Sequence, residues 1–129
     1  MKHHLRLVWL RLAFFLMLAR FTLYSAELLT GKWNCSGNTP HDEDVQFVLD
    51  LKQSGEKVTG TLTVGDDTFD ILEGSIQGNH LEIVTDINGS RYVSSAIVEN
   101  NRVTGSWKND GGQTGHWEGQ RQTGNGKLI

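Results

Sequence analysis

Cys35 and His116 are the two residues of this sequence that could form a nucleophile and its base, a pairing that needs thiol and imidazole within hydrogen-bond reach. Both fall on predicted strands that closure of a barrel would make neighbours. Side chains alternate between the faces of a strand, and Cys35 shares a face with Trp33 whereas His116 lies opposite to Trp117. The pattern therefore argues against a Cys–His pair. It favours a buried, inert thiol, with a reactive or intermolecular thiol as the alternative.

Carboxylates at positions 41–44, which read HDED, could hold a hard cation through their oxygens. No glycine-spaced calcium loop follows, so a solvated acidic loop is the favoured interpretation. His80 shares a face with Glu82 and is expected to be exposed. The sequence contains no phosphate-binding loop, metalloprotease helix or nucleophile elbow. We therefore predict a protein that is not an enzyme, with no catalytic residues, metal or cofactor.

The elements that carry these residues are predicted to be strands, because the apolar pattern after position 26 has a period of two. In EDVQFVLDLKQ at 43–53, the apolar residues fall on one face and most polar residues on the other. Turn signals recur every eight to twelve residues, and Asn88-Gly89 is typical of a two-residue hairpin turn. The prediction is eight strands, near residues 30–36, 43–53, 57–64, 68–77, 80–87, 90–98, 102–108 and 114–121.

A Thr-Gly-x-large tetrapeptide occurs four times, as TGKW at 30–33, TGTL at 59–62, TGSW at 104–107 and TGHW at 114–117. In a strand, the glycine and the large residue share one face, and we expect that face to point inward. Glycine beside a bulky inward residue lets a strand coil sharply enough to close a small barrel. Other small inward positions are expected to leave interior space: Gly60, Gly74, Ser94, Ala96, Gly105 and Gly119.

Two further regularities concern the strand order. Segments 45 residues apart resemble each other, which fits either an internal duplication or a meander with equal hairpins. In the fourth strand, Phe69 and Ile71 have one parity and Leu72, Gly74 and Ile76 the other, although all look buried. One extra residue would reconcile both sets, so we predict a bulge near Ile71-Leu72.

The first 26 residues have the order of a signal peptide, with a basic start, the apolar run LAFFLMLA at 12–19 and small residues before Glu27. A retained anchor helix or a start at Met17 is the alternative. Removing them takes 4 of the 12 basic residues and none of the 15 acidic ones, which leaves a net charge of −7. Such a chain is a poor partner for nucleic acid. We predict a signal peptide at 1–26, a single barrel domain at 27–129, no stable membrane span after processing, and secretion or a periplasmic location.

Gly31-Lys32-Trp33 on the first strand and Arg121 on the last resemble the calycin superfamily of lipocalins, fatty-acid-binding proteins and avidins. The resemblance implies an eight-stranded antiparallel up-and-down barrel in which the first and last strands pair. It also implies that Arg121 lies over Trp33 at the closed end, an arrangement that the inward parity of both positions allows.

The interior is the remaining place for function, because an eight-stranded barrel is just wide enough to hold one small ligand or to be filled by side chains. We predict a ligand-binding barrel that takes a small apolar or amphipathic molecule. The alternative is a structural or protein-interaction module with a solid core. The expected ligand-binding residues are Trp33, Tyr92, Trp107, Trp117 and Arg121.

Overall fold

The computed structural model of this chain describes residues 27–122, and all of their regular structure is β. Eight strands form an antiparallel meander, and β1 also pairs with β8, which closes the barrel. This confirms the predicted all-β, eight-stranded up-and-down barrel, with every strand bound within two residues of its prediction. The predicted signal peptide at 1–26 and the residues after 122 lie outside the described residues. The strands are β1 (Gly31–Asn38), β2 (Asp44–Ser54), β3 (Lys57–Val64), β4 (Asp67–Gln77), β5 (His80–Ile87), β6 (Ser90–Glu99), β7 (Arg102–Asn109) and β8 (Thr114–Arg121).

The strands follow the alternation of the sequence. In β2, Leu49 and Leu51 are buried while Asp50 is exposed, as expected for a sheet with one face in a core and the other in water. The β5–β6 hairpin turns at Asn88-Gly89, where φ is 54° and 88°. Both values are positive, as a type I′ turn requires, so the predicted two-residue turn is confirmed. Residues 27–122 contain no helix long and apolar enough to cross a bilayer.

The 45-residue repeat is present in the pairing of the strands. β3 starts and ends 45 residues before β7. Leu51 pairs with Gly60 in the first half of the barrel, and Ala96 pairs with Gly105 at the same offset in the second. The pairing of β2 with β3 and the pairing of β6 with β7 therefore use the same register, as expected both for an internal duplication and for a meander with equal hairpins.

The predicted bulge lies in β4. Ile71 pairs with Thr85 and Glu73 with Val84, so Leu72 is the extra residue between two consecutive positions of β5. The prediction of the bulge is confirmed, but the expectation that Leu72 is buried is wrong, because its side chain is 55% exposed. The extra residue points outward, which lets both the residues before it and those after it face the interior.

The interior is filled at one end of the barrel, called here the closed end, where β1 begins and β8 ends. Leu29, just before β1, belongs to the same core. Large apolar side chains from seven strands pack at this end, each at most 3% exposed: Trp33, Leu51, Val58, Ile76, Leu81, Val98 and Val103.

Glycines follow next along the barrel, and the expectation that they leave interior space is wrong for all four of them. At Gly119, a Cβ would lie 2.5 Å from the Sγ of Cys35, so that side chain occupies the space. A Cβ at Gly60, Gly74 or Gly105 would lie 1.9, 2.4 or 2.2 Å from a carbonyl oxygen of a neighbouring strand. Backbone from the next strand therefore occupies the space that the missing side chains leave. These glycines bring the strands close together, as tight coiling of a small barrel requires.

Candidate ligand-binding cavity

A cavity of about 250 Å³ occupies the other half of the barrel, towards the end formed by the loops at 39–43, 65–66, 88–89 and 110–113, called here the open end. Leu49 and Ile83 line it, and both are also part of the buried core. Thr39, Pro40 and Asn88 belong to its lining as well, so the cavity extends to the turns. The barrel is thus packed at one end and hollow at the other.

Aromatic side chains form much of the cavity wall, in two tilted pairs. The rings of Phe47 and Trp117 have their centroids 6.0 Å apart, and those of Tyr92 and Trp107 are 5.5 Å apart. Phe69 also lines the cavity. Aromatic walls of this kind give a site apolar contact area and electron-rich ring faces. Three predicted site residues, Tyr92, Trp107 and Trp117, are therefore brought together here.

The position of Trp107 depends on a hydrogen bond of its indole and on the space that Gly115 leaves beside the ring. Its Nε1 donates to the carbonyl oxygen of Asn38 at 3.0 Å. A Cβ on Gly115, its partner on β8, would lie 2.4 Å from the indole, so only glycine leaves room for this ring. The side-chain oxygen of Asn38 in turn accepts from the backbone N–H of His116 at 2.7 Å. Asn38 therefore joins the end of β1 to both the indole and β8.

Several residues of the wall carry polar groups, and four of them are Trp117, Thr85, Ser94 and Tyr92. Trp117 is 5% exposed, and its Nε1 is a buried donor with no acceptor among the described residues. Thr85 is 4% exposed, and Ser94 and Tyr92 line the same cavity. A few polar groups in a mainly apolar cavity are typical of small-molecule sites, where they fix the orientation of the ligand.

The other two predicted site residues, Trp33 and Arg121, do not line this cavity. They meet at the closed end, where the guanidinium carbon of Arg121 lies 4.5 Å from the centroid of the Trp33 ring. The two residues are paired across β1 and β8, which confirms the contact that the calycin resemblance implies. Their position makes them part of the core packing and not of the cavity wall.

The closed end is covered by the segment before β1, which several side chains hold in place. Arg121 Nη1 donates to the carbonyl oxygen of Thr30 at 2.5 Å, and its Nη2 donates to that of Leu28. Trp33 Nε1 donates to the carbonyl oxygen of Leu29 at 2.9 Å. Partial burial lowers the pKa of Arg121, and nearby Glu27 partly opposes this shift. The guanidinium nevertheless remains charged at any physiological pH.

Gln53 is a buried polar residue of the closed end that the sequence analysis did not single out. Its Oε1 accepts from the backbone N–H groups of Leu28 and Leu29 at 2.9 and 3.1 Å. Its parity with Leu49 and Leu51 was a sequence signal for an inward position. Thr85, on the cavity side, had the same signal because it shares the parity of Leu81 and Ile83 in β5, whereas Asn38 had none.

Cys35 and His116 lie on opposite faces of the sheet, as predicted. Cys35 is 5% exposed, and burial raises the pKa of its thiol to about 12. His116 is exposed on the outside of β8. A thiol with such a pKa is almost entirely protonated near neutral pH, and the thiolate is the nucleophilic form. Within residues 27–122, no group of three or more His, Cys, Asp or Glu side chains is arranged to hold a metal ion.

No protein-family model matches this chain, and no curated protein matches it in sequence. Two designed barrels match its structure. A redesigned β-barrel, b11L5F_LGL, has a TM-score of 0.60 and 12% identity, with 74% of this chain and 93% of that chain covered. A de novo designed fluorescence-activating β-barrel has a TM-score of 0.59 and 12% identity, with 74% of this chain and 94% of that chain covered. Likeness at this identity shows the fold alone, so membership in the calycins stays a prediction.

Proposed function

We propose that this protein binds a small, mainly apolar molecule in the open half of its barrel, without catalysing a reaction on it. The observation that carries the proposal is the cavity of about 250 Å³ lined by two aromatic pairs. An apolar cavity of about 150 Å³ is large enough for benzene, and drug-sized ligands use about 300 Å³ or more. The volume therefore suits a ligand of about two fused rings.

The polar groups of the wall suggest that the ligand is amphipathic. The hydroxyl groups of Thr85, Ser94 and Tyr92 belong to residues that line the cavity. A ligand oxygen or nitrogen could exchange a hydrogen bond with one of these hydroxyls, and a purely hydrocarbon ligand could not. A molecule with at least one polar group is therefore favoured.

The alternative function, a structural or protein-interaction module, requires a barrel whose aromatic side chains only fill a core. The closed half fits that description, but the wall around Tyr92, Trp107 and Trp117 borders a cavity. The hollow half therefore supports ligand binding over the alternative.

Binding can be tested with 1-naphthalenemethanol, a neutral two-ring alcohol, by calorimetry and by the indole N–H resonances in NMR spectra. A ligand of this size is expected to bind with a millimolar to micromolar dissociation constant. The resonances of Trp107 and Trp117 should shift on binding, while that of Trp33 at the closed end should not. Shifts that are equal for all three indoles, or no saturable binding, would contradict the proposal.

Neighbouring serines on β6 provide a matched pair of variants. Ser94 lines the cavity, whereas Ser95 is the next residue and points to the other face. Ser94→Phe should fill the cavity and abolish binding of the alcohol, and Ser95→Phe should leave it unchanged. If Ser94→Phe does not fold, Thr85→Val keeps the size of a wall residue and should change the affinity by removing one hydroxyl. Unaltered binding by both cavity variants would show that the alcohol binds elsewhere.

Export is the second part of the proposal. Its support is the basic, apolar and small order of residues 1–26. Mass spectrometry of the mature protein should find Glu27 as the first residue. A mature protein that starts at Met1 or Met17 would contradict export by cleavage.

A further inference from the structure

The two ends of the barrel differ in charge. Within two residues of the four loops at the open end, the chain has seven carboxylates and two basic side chains, Arg91 and Lys108. The same count among the described residues of the closed end gives three carboxylates and four basic side chains, which are Lys32, Lys57, Arg102 and Arg121. The carboxylates of the open end, called here the acidic rim, are Asp42, Glu43, Asp44, Asp66, Asp67, Asp86 and Asp110.

The charge of the acidic rim is not neutralised by ion pairs. Among residues 27–122, the only ion pair joins Arg91 to Glu73 at 3.8 Å, and Glu73 is not part of the rim. Asp67 is one of the residues that line the cavity, so a rim carboxylate is present at the ligand site itself. A molecule entering the cavity must pass this negatively charged opening.

The cavity wall, like the acidic rim, favours a positively charged ligand over a negatively charged one. The faces of Tyr92, Trp107 and Trp117 carry the negative part of the aromatic quadrupole, which attracts cations and disfavours anions. Thr85 and Ser94 also belong to the lining, and their hydroxyl groups can form hydrogen bonds with a neutral polar group of the ligand. The rim therefore favours a positive group at one end of the ligand, and the wall favours a mainly apolar body at the other end.

We propose that the natural ligand is an amphipathic organic cation, with its positive group at the acidic rim and its mainly apolar body in the cavity. This inference rests on the proposed ligand-binding function and adds the charge class of the ligand. The rim and the ring faces both disfavour binding of an organic anion. A low-dielectric cavity with one sign of charge at its opening also concentrates ligands of the opposite charge and speeds their association.

Three probes with the same naphthalene ring distinguish ligand charge from ligand shape: 1-naphthylmethylamine, which is a cation near neutral pH, neutral 1-naphthalenemethanol, and the anion 1-naphthaleneacetate. At low ionic strength we expect the amine to bind about tenfold or more tightly than the acid, with the alcohol between them. Added salt should narrow these differences, because the Debye length falls from about 30 Å at 0.01 M to about 8 Å at 0.15 M.

Paired charge removals at the two ends provide the control. Asp66→Asn with Asp110→Asn removes two carboxylates from the rim at residues that do not line the cavity, and Glu56→Gln with Glu99→Gln removes two from the closed end. The rim variant should weaken amine binding about threefold to tenfold and leave alcohol binding unchanged, since exposed charges interact only weakly with a ligand charge. The closed-end variant should bind both probes as the parent does.

The outcomes separate this inference from the proposed function. If the alcohol binds but the amine and the acid bind equally well, or the acid binds best, the charge class is wrong and the cavity remains a binding site. If the rim and closed-end variants weaken amine binding equally, the effect is one of net charge and the acidic rim is not a specificity determinant. If none of the three probes binds, the proposed function fails and this inference fails with it.

Discussion

The contact between Trp33 and Arg121 should be measurable as a coupling free energy. Trp33 is 0% exposed and belongs to the closed-end core, so Trp33→Ala should lower the free energy of unfolding by about 3–5 kcal/mol. Arg121→Ala should cost about 1–3 kcal/mol, because its guanidinium donates to carbonyl oxygens of the segment before β1. The double variant should lose less than the sum, by about 0.5–2 kcal/mol for a cation over an indole at 4.5 Å.

Unfolding in guanidinium chloride of the parent, the two single variants and the double variant gives this coupling free energy directly. Trp107 provides the matched control, because it lies in the open half, and the effects of Trp107→Ala and Arg121→Ala should add within about 0.3–0.5 kcal/mol. Trp33→Leu replaces Trp33→Ala if the alanine variant does not fold, since leucine stays apolar but has no ring face. Additive losses for Trp33 and Arg121 would refute a direct contact at the closed end.

Three further variants test other parts of the structure. Gly105→Ala should lower the free energy of unfolding by about 1–3 kcal/mol, because its Cβ would lie 2.2 Å from a carbonyl oxygen; Gly111→Ala, with its nearest atom at 3.4 Å, should be nearly neutral in thermal unfolding. Leu81→Ala should lower the free energy of unfolding by about 2–5 kcal/mol, because Leu81 lies in the buried core. Leu72→Ala should lower it much less, because the bulge residue is exposed. Equal losses for the two variants would contradict the faces assigned to these residues. Cys35 should not react with a thiol reagent at pH 8 until the protein is unfolded. The pKa of Cys35 is raised to about 12 in the folded state, so the contribution of the buried thiol to the free energy of unfolding should be present below about pH 9 and lost towards pH 12. The difference in the free energy of unfolding between the parent and Cys35→Ala should therefore shrink over this pH range.

Much of the fold could be predicted because it depends on local patterns. Period-two alternation and regularly spaced turn residues are properties of short segments, and they determine the number and bounds of the strands. The bulge could be predicted too, because the parity change between Ile71 and Gly74 is also a property of a short segment. That parity could not tell which residue points outward, and Leu72 was expected to be buried although it is exposed.

The candidate site was harder to predict because it depends on how much space the closed sheet encloses. Strand parity places Trp33 and Trp107 on the same inward face, but it does not show that one fills the closed end while the other borders a cavity. Glycines at 60, 74 and 105 looked like space for a ligand, yet neighbouring backbone occupies that space. Their effect depends on strand separation, which is a property of the assembled barrel.

The pairing of β1 with β8 also determines how the molecule can be attached to something else. Glu27 and Gln122 bound the described chain, and the backbone N–H of Gln122 donates to the carbonyl oxygen of Lys32, near the start of β1. Both ends of the described chain therefore leave the barrel on the side away from the cavity. A fusion partner, affinity tag or solid support joined at either end would leave the opening facing outward, so the barrel could be immobilised as a sensor without obstructing ligand entry.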